Sequence, residues 1–132
     1  MIDIEQSVLT LIKSSISEEV AEVYSEYTAT PSEFPCVMVQ EIVNKVFTDS
    51  QDSTSFENHC EISYQIDIFT VGPNKKFDAK RIANLIDEVL NKYNFTRTFC
   101  QRVSNAYDDK IYRFVARYDA IVGKDNYVYS IK

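Results

Sequence analysis

The sequence reads NHCEISYQIDIFT at positions 58–70, and apolar and polar side chains alternate over most of this stretch. Successive side chains of a β-strand point to opposite faces of a sheet, so this period of two predicts a long strand with one buried face. The apolar face consists of Cys60, Ile62, Tyr64, Ile66 and Ile68. The polar face, whose role has to be decided from the rest of the chain, consists of His59, Glu61, Ser63, Gln65 and Asp67.

An amphipathic helix follows this strand after a Gly-Pro break. The spacing of apolar residues predicts a helix over 79–93, with Asp78 as its N-cap and Asn94 as the residue that closes it. Phe77 is expected to pack against Ile82 as a hydrophobic staple. We expect the apolar stripe of this helix to cover the apolar face of the preceding strand.

Other segments also carry strand patterns. Residues 36–43 are apolar on both faces at first, which is typical of an inner strand. Residues 95–104 predict a short strand, and residues 112–122 predict a long one whose polar face carries Arg113 and Arg117. A weaker strand pattern covers 18–28, where a helical stripe competes with the alternation. The segment 127–131 is either a last short strand or a tail.

The beginning of the chain predicts a helix from position 3 to about position 15. Asp3 can cap it, and Gln6 stands three residues further on, as in a capping box. A polar loop is expected at 48–55. We therefore predict one α+β domain over 1–132: an antiparallel β-sheet with two α-helices packed on one face.

Composition indicates a folded, unexported protein. The hydrophobic fraction is 45%, which argues against wholesale disorder. The N-terminus lacks the layout of a secretion signal, and no apolar run is long enough to span a membrane. The three cysteines, Cys36, Cys60 and Cys100, form no Cys-x-x-Cys pair and are expected to be reduced core residues.

Charge is distributed unevenly along the chain. The formal net charge is −6, but residues 1–61 hold twelve acids and two bases, a net charge of −10, whereas residues 62–132 hold eight acids and twelve bases, a net charge of +4. An acidic half argues against general binding to nucleic acid, which needs a concentrated basic patch. The division either reflects chance or predicts unlike faces that meet in a head-to-tail interface between identical copies.

Catalytic and metal-binding patterns are not apparent. With only two glycines, the chain has no glycine-rich phosphate loop. His59 and Cys60 are neighbours on a predicted strand, so their side chains point to opposite faces and do not suit one metal ion. The cysteines lack an adjacent base. We therefore expect no enzyme activity, no metal site and no cofactor.

The order of elements, with the segments FPCVMVQEI at 34–42, YQIDIF at 64–69 and the helix at 78–90, resembles the tail-terminator proteins of long-tailed bacteriophages. Such proteins, which are also called tail-completion proteins, belong to the virion and are assembled in the host cytoplasm. The resemblance implies a ring, usually hexameric, that caps the tail tube, ends its polymerisation and joins the tail to the head-neck complex. The implied partners are further copies, the tail tube protein and the head-neck protein, with DNA passing through the channel without specific binding. It implies no membrane partner.

We interpret the polar side chains of the long strands as interface or channel-lining residues of such a ring. An acidic lining would keep the DNA duplex from adhering to the channel. The candidates are Asp49, Asp52, Glu57, Glu61, Asp67, Arg113 and Arg117. Three other interpretations remain open: a neck or head-closure protein of the same junction, a small α+β enzyme, and an adaptor that binds through the loop at 48–58.

Overall fold

A computed structural model of the chain describes residues 3–16, 20, 22–25, 33–46, 59–103, 110–123 and 128–129. The elements, in chain order, are α1 (Glu5–Ile16), β1 (Glu22–Tyr24), β2 (Cys36–Val46), β3 (His59–Thr70), α2 (Lys75–Lys92), β4 (Thr96–Val103), β5 (Tyr112–Gly123) and β6 (Val128–Tyr129). This confirms the predicted α+β class. The polar loop predicted at 48–55 lies outside the described residues.

The strands form one sheet in the order β1-β2-β3-β5-β4, and β6 pairs with the end of β5. All pairs are antiparallel except β1 with β2, which is parallel. The sheet is therefore mixed, whereas the sequence predicted an antiparallel one. Alternation of side chains predicts that a segment is a strand, but strand direction depends on the connection between strands, and the pattern of β1 does not contain that information.

Both helices contribute to the core on one face of the sheet. The apolar face of β3 lies opposite the matching residues of β5, so Ile62 pairs with Ala120 and Ile66 with Ala116. Residues of α1 and α2 close over them, and this places the apolar row of β3 in the core as the sequence predicted. The buried helix residues are Val8, Leu9, Ile12, Ile16, Ala79, Ile82, Ile86 and Leu90.

Helix α2 begins four residues earlier than the sequence predicted, at Lys75. Gly72 has a φ of +96°, which favours glycine, and the turn leads directly into the helix, where the Asp78 N–H donates to the Asn74 carbonyl. Asp78 is therefore in the first turn and not at the N-cap. Its carboxylate still suits the positive end of the helix, and it lies 3.3 Å from Arg81.

Because Phe77 is inside this first turn, it does not form the predicted hydrophobic staple with Ile82. Phe77 is instead 75% exposed. The C-terminal end of α2, in contrast, agrees with the prediction. Asn94 has a φ of 70°, the Asn94 N–H donates to the Asn91 carbonyl, and the Phe95 N–H donates to the Leu90 carbonyl. These bonds form a Schellman motif.

Helix α1 begins at Glu5, two residues later than predicted, and ends at Ile16, close to the predicted end. Asp3 lies just before it, and one oxygen of its carboxylate accepts the Glu5 N–H at 3.0 Å. The weak pattern at 18–28 gives the short strand β1, and residues 18–19, 21 and 26–28 of that segment are outside the described residues. No helix in the described part of the chain combines the length and the apolar character needed to cross a bilayer.

Strand β2 contains a β-bulge. Glu41 pairs with Tyr64, but Val43 pairs with Ser63, so Ile42 is an extra residue relative to β3. The described part of β1 pairs with β2 only from Cys36 to Met38, and the bulge lies beyond this paired region. Ile42 and Val43 remain 40% and 37% exposed.

Candidate functional site

The polar face of β3 forms a hydrogen-bonded network with β5. Ser63 lies opposite Asp119 and donates its hydroxyl to that carboxylate at 2.6 Å. Gln65 lies opposite Arg117 and accepts a hydrogen bond from the guanidinium Nε at 3.2 Å. This row lies on the face opposite the two helices. Most of the polar pattern in the opening stretch therefore serves to pair strands across the sheet.

Asp67 and Arg113, two of the predicted site residues, form the buried part of this network. Arg113 donates from Nη2 and Nε to one oxygen of Asp67, at 2.6 and 3.0 Å, while Gln65 donates to the other oxygen at 2.9 Å. Asp67 has no exposed surface, and Arg113 stacks over Phe69 at 5.8 Å. The carboxylate faces protein donors and not solvent, so Asp67 is not available to line a channel.

The other predicted residues are more accessible. Glu61 is half-buried and lies 3.5 Å from Lys45, which is an exposed partner. Arg117 is exposed and stacks over Phe99 at 5.5 Å. The structure thus brings Asp67, Arg113 and Arg117 together, with Glu61 further along the same face. Asp49, Asp52, Glu57 and the side chain of His59 lie outside what the structure describes.

A second row of residues crosses the sheet on the helix side. Glu41 of β2 pairs with Tyr64 of β3, Tyr64 pairs with Tyr118 of β5, and Tyr118 pairs with Arg97 of β4. We call this the tyrosine rung. It has an acidic residue at the β2 end and a basic residue at the β4 end, with two buried aromatic rings between them.

Each tyrosine of the rung donates its hydroxyl to a carboxylate. Tyr64 donates to Glu41 at 3.2 Å, and Tyr118 donates to Asp87 of α2 at 2.8 Å. Burial, together with these acceptors, raises the pKa of both hydroxyls, so they remain protonated donors. Asp87 also lies 3.4 Å from Arg97, and this ties α2 to β4.

The β2 end of the rung is acidic. Partial burial raises the pKa of the Glu41 carboxyl, the hydrogen bond from Tyr64 opposes that shift, and repulsion from Asp3 and Glu5 adds to it. Three carboxylates therefore lie close enough to interact here. The exposed Ile42 and Val43 of the bulge follow Glu41 in sequence.

The β4 end of the rung has a pocket of about 250 Å³ between α2 and β4. Phe114, Ala116 and Tyr118 of β5 lie beneath α2 and β4 in its lining. Lys80 and Arg97 contribute the charged groups, and no carboxylate is among the described residues that line it.

The cysteines differ in their environments. Cys36 and Cys60 are buried, as predicted, but Cys100 is exposed at the pocket, so its assignment to the core was wrong. The reason is that β4 is an edge strand only partly covered by α2. Partial burial raises the pKa of the Cys100 thiol, which lowers its thiolate fraction. Among the described residues, no three His, Cys, Asp or Glu side chains gather as a metal ion would require.

Sequence reasoning missed the two ends of the tyrosine rung. One feature of the sequence could have pointed to Glu41. It comes just after the buried residues of β2, and the alternation of side chains places it on the same face as Val37 and Val39, which is the helix side. Lys80 and Arg97 are ordinary surface residues of a helix and an edge strand, and nothing in their local sequence indicates that the fold places them at one pocket.

Comparisons with protein-family models and with curated proteins found no match for this chain.

Proposed function

We propose that this protein is a structural subunit of a long-tailed phage virion, a tail terminator that caps the tail tube as a ring of identical copies. The sequence resemblance supports this role. The structural observation that carries it is the separation of charge across one sheet. Asp3, Glu5 and Glu41 lie at the β2 side, whereas Lys80 and Arg97 lie at the β4 side, where Arg97 also pairs with Asp87 at 3.4 Å.

Opposite charges on opposite edges favour head-to-tail association. A patch that binds to a different patch on the next copy leaves a free patch on each outer copy, so association continues; it ends in a ring where the rotation between copies closes, and in an open filament where it does not. Complementary charge also fixes the register of such an interface and speeds the encounter of subunits. A twofold dimer would instead bring like charges together around its axis if it used either edge alone.

The ring would end tube polymerisation by covering the growing end of the tube, and its other side would meet the head-neck protein. This work requires rigid surfaces and no turnover of a substrate. The buried pair Asp67–Arg113 and the Ser63–Asp119 bond cross-link β3 and β5, and this stiffens the centre of the sheet.

In this ring the DNA channel is lined by the remaining acidic candidates, Asp49, Asp52, Glu57 and Glu61. Negative charge on the lining repels the phosphate backbone and lets the duplex pass without binding. Asp67 is a structural residue in this proposal, because its carboxylate is buried against Arg113. Arg113 also belongs to that internal pair, which leaves the exposed Arg117 as the basic candidate for contact with a neighbour.

The proposal is tested by adding the purified protein to polymerising tail tube protein of the same phage. The expected result is shorter tubes that carry one extra ring at one end, as seen by negative-stain electron microscopy. Native mass spectrometry of the protein, alone and with tube fragments, should give a closed oligomer of one defined stoichiometry. The head-neck protein should bind to capped tubes and not to bare ones.

Two outcomes would overturn this assignment. If tube length is unchanged and the protein stays monomeric with and without tube protein, the terminator role is lost. If the protein ignores the tube but forms a ring on the head-side components alone, the head-closure interpretation takes its place.

A further inference from the structure

The first turn of α2 carries an exposed aromatic side chain. Phe77 is 75% exposed, which is the largest exposed fraction among the large apolar residues that the structure describes. It lies nine residues before the buried Ile86, about 2.5 turns of a helix, so the two side chains point in opposite directions. Phe77 therefore projects away from the core. Val71, in the turn that precedes α2, is exposed as well.

Basic residues surround Phe77. Lys76 precedes it, and Lys80 and Arg81 lie beside it on the next turn of the helix. The first seven residues of α2 contain four bases and one acid, a net charge of +3. Arg81 pairs with Asp78 at 3.3 Å, whereas Lys76 and Lys80 form no ion pair with a described residue. We call Lys76, Phe77, Lys80 and Arg81 the α2 patch.

The stability of the helix does not explain this arrangement. The N-terminal end of a helix carries a partial positive charge, so bases in the first turns oppose the helix dipole. The side chain of the N-cap residue, Asn74, makes no capping hydrogen bond. The exposed ring of Phe77 does not belong to the core described above. Residues that conflict with local stability in this way are typical of functional surfaces.

The α2 patch is suited to a protein partner. Because Phe77 projects from the surface, its counterpart is an apolar hollow, and aromatic side chains that fill such hollows contribute much of the binding free energy of protein interfaces. The positive charge of the patch requires acidic residues around that hollow. A polynucleotide would also supply negative charge, but the net charge of −6 of the whole chain opposes its approach.

We propose that the α2 patch binds an acidic surface of another virion protein, with Phe77 in an apolar hollow of that surface and the three bases facing acids at its rim. The inference rests on the proposed function. It assigns to the ring the surface with which each copy holds a neighbouring component, the tail tube protein or the head-neck protein, and not a further copy of itself.

Two variants test the patch. Phe77→Ser removes the aromatic ring, and Lys76→Glu reverses one charge. Because Lys76→Glu places an acid at the positive end of α2, its melting temperature should equal or exceed that of the wild type. Both variants should form rings by native mass spectrometry, but one of the two virion proteins should bind them about tenfold or more weakly. Co-sedimentation with tubes and biolayer interferometry with the head-neck protein measure the affinities.

Matched controls lie at the other end of α2. Tyr93→Ser removes an aromatic side chain that is 48% exposed, and Lys92→Glu makes the same change of charge in the last turn. Both should bind the virion proteins as the wild type does. Loss of a base disfavours the helix at this end, so Lys92→Glu should lower the melting temperature and keep the affinity. A purely structural role of the patch would instead make affinity follow stability.

The outcomes separate this inference from the proposed function. If Phe77→Ser and Lys76→Glu bind both virion proteins as tightly as the wild type, the inference is wrong and the ring proposal stands. Folded variants that form no ring would assign the patch to the contact between copies, and loss of affinity for duplex DNA alone would assign it to nucleic acid; either result overturns the inference. A wild type that binds neither virion protein would overturn the proposed function as well.

Discussion

Arg113 holds Asp67 in a buried ion pair in which two guanidinium nitrogens donate to the same carboxylate oxygen, at 2.6 and 3.0 Å. The two partners are not equivalent, because the Asp67 side chain has no exposed surface and the Arg113 side chain is 20% exposed. Removal of Arg113 therefore leaves a buried negative charge without its partner, whereas removal of Asp67 leaves a positive charge that is partly exposed to solvent.

Arg113→Met should lower the free energy of unfolding by about 3–5 kcal/mol, because it leaves an uncompensated buried carboxylate. Asp67→Asn should cost less, about 1–3 kcal/mol, because the amide retains an acceptor and Arg113 can reach solvent. Urea denaturation measures both. Glu61→Gln, which breaks the more exposed pair with Lys45, is the control and should cost no more than about 1 kcal/mol. Equal costs for all three would contradict the network described for this face.

Loss of the Tyr118 hydroxyl should destabilise the protein more than loss of the Tyr64 hydroxyl. The bond from Tyr118 to Asp87 is 2.8 Å long, and the bond from Tyr64 to Glu41 is 3.2 Å long. Hydrogen bonds to charged groups contribute about 1.5–3 kcal/mol, so Tyr118→Phe should fall in that range and Tyr64→Phe near or below its lower end. Thermal unfolding of both variants gives the order, and a reversed order would show that bond length does not govern their strength here.

Stability should depend on pH through Glu41. Its pKa in the folded protein is raised above the ordinary value of 4.5, chiefly by burial. The folded state thus binds this proton more tightly than the unfolded state, and the contribution of Glu41 to stability falls as pH rises from 4.5 through the raised value. Glu41→Gln removes this dependence.

The stability of the wild type relative to Glu41→Gln should therefore decrease between pH 4.5 and pH 7, as measured by urea denaturation in matched buffers. Glu88→Gln, at an exposed position of α2, controls for the general effect of removing an acid. A difference that stays constant across this range, or that grows with pH, would be inconsistent with the environment described for Glu41.

Cys100 should react alone with a thiol reagent in the native protein. Cys36 and Cys60 have no exposed surface, whereas Cys100 is exposed. Ellman's reagent should label one thiol quickly and the other two only after denaturation. Because burial raises the Cys100 pKa, the rate should rise with pH and lag behind a free thiol at neutral pH. Cys100→Ser should abolish the fast phase; a fast phase that survives would place another thiol at the surface.

Neutral replacements of the proposed channel acids should leave ring assembly intact and increase retention of DNA. The variant combines Asp49→Asn, Asp52→Asn, Glu57→Gln and Glu61→Gln. Removal of the repulsion should make duplex binding measurable at low salt, and this binding should weaken as salt is added. A gel-shift assay of the assembled ring detects it. Loss of the ring would instead assign these acids to the interface between copies.

The sequence predicted the central elements well because their physical signal is local. Alternation in β3 and β5 and the 3.6-residue period in α2 each determine which side chains are buried. The start of α2 was less predictable, because both Asn74 and Asp78 are good capping residues and the Gly72 turn decides between them. The parallel direction of β1 and the bulge at Ile42 depend on connections and pairing with distant residues, which local patterns do not encode.

The candidate site was predicted only in part, for the same reason. Arg113 and Asp67 were both predicted to lie on the polar face. Because they are 46 positions apart in sequence, local patterns did not show that they form an ion pair. The pocket combines Lys80 with Arg97, and these two meet only because α2 and β4 both pack against β5.

The outer edge of β4 has a consequence for how copies of this protein can avoid aggregation. In the described part of the chain, β4 pairs only with β5, and its ladder is interrupted by a bulge between Arg97 and Phe99. An arginine near each end of the strand and a bulge between them discourage another strand from adding there, because it would have to desolvate charge and follow a broken register. Growth into cross-β fibres through this edge is thereby disfavoured, so the protein can stay in solution at high concentration.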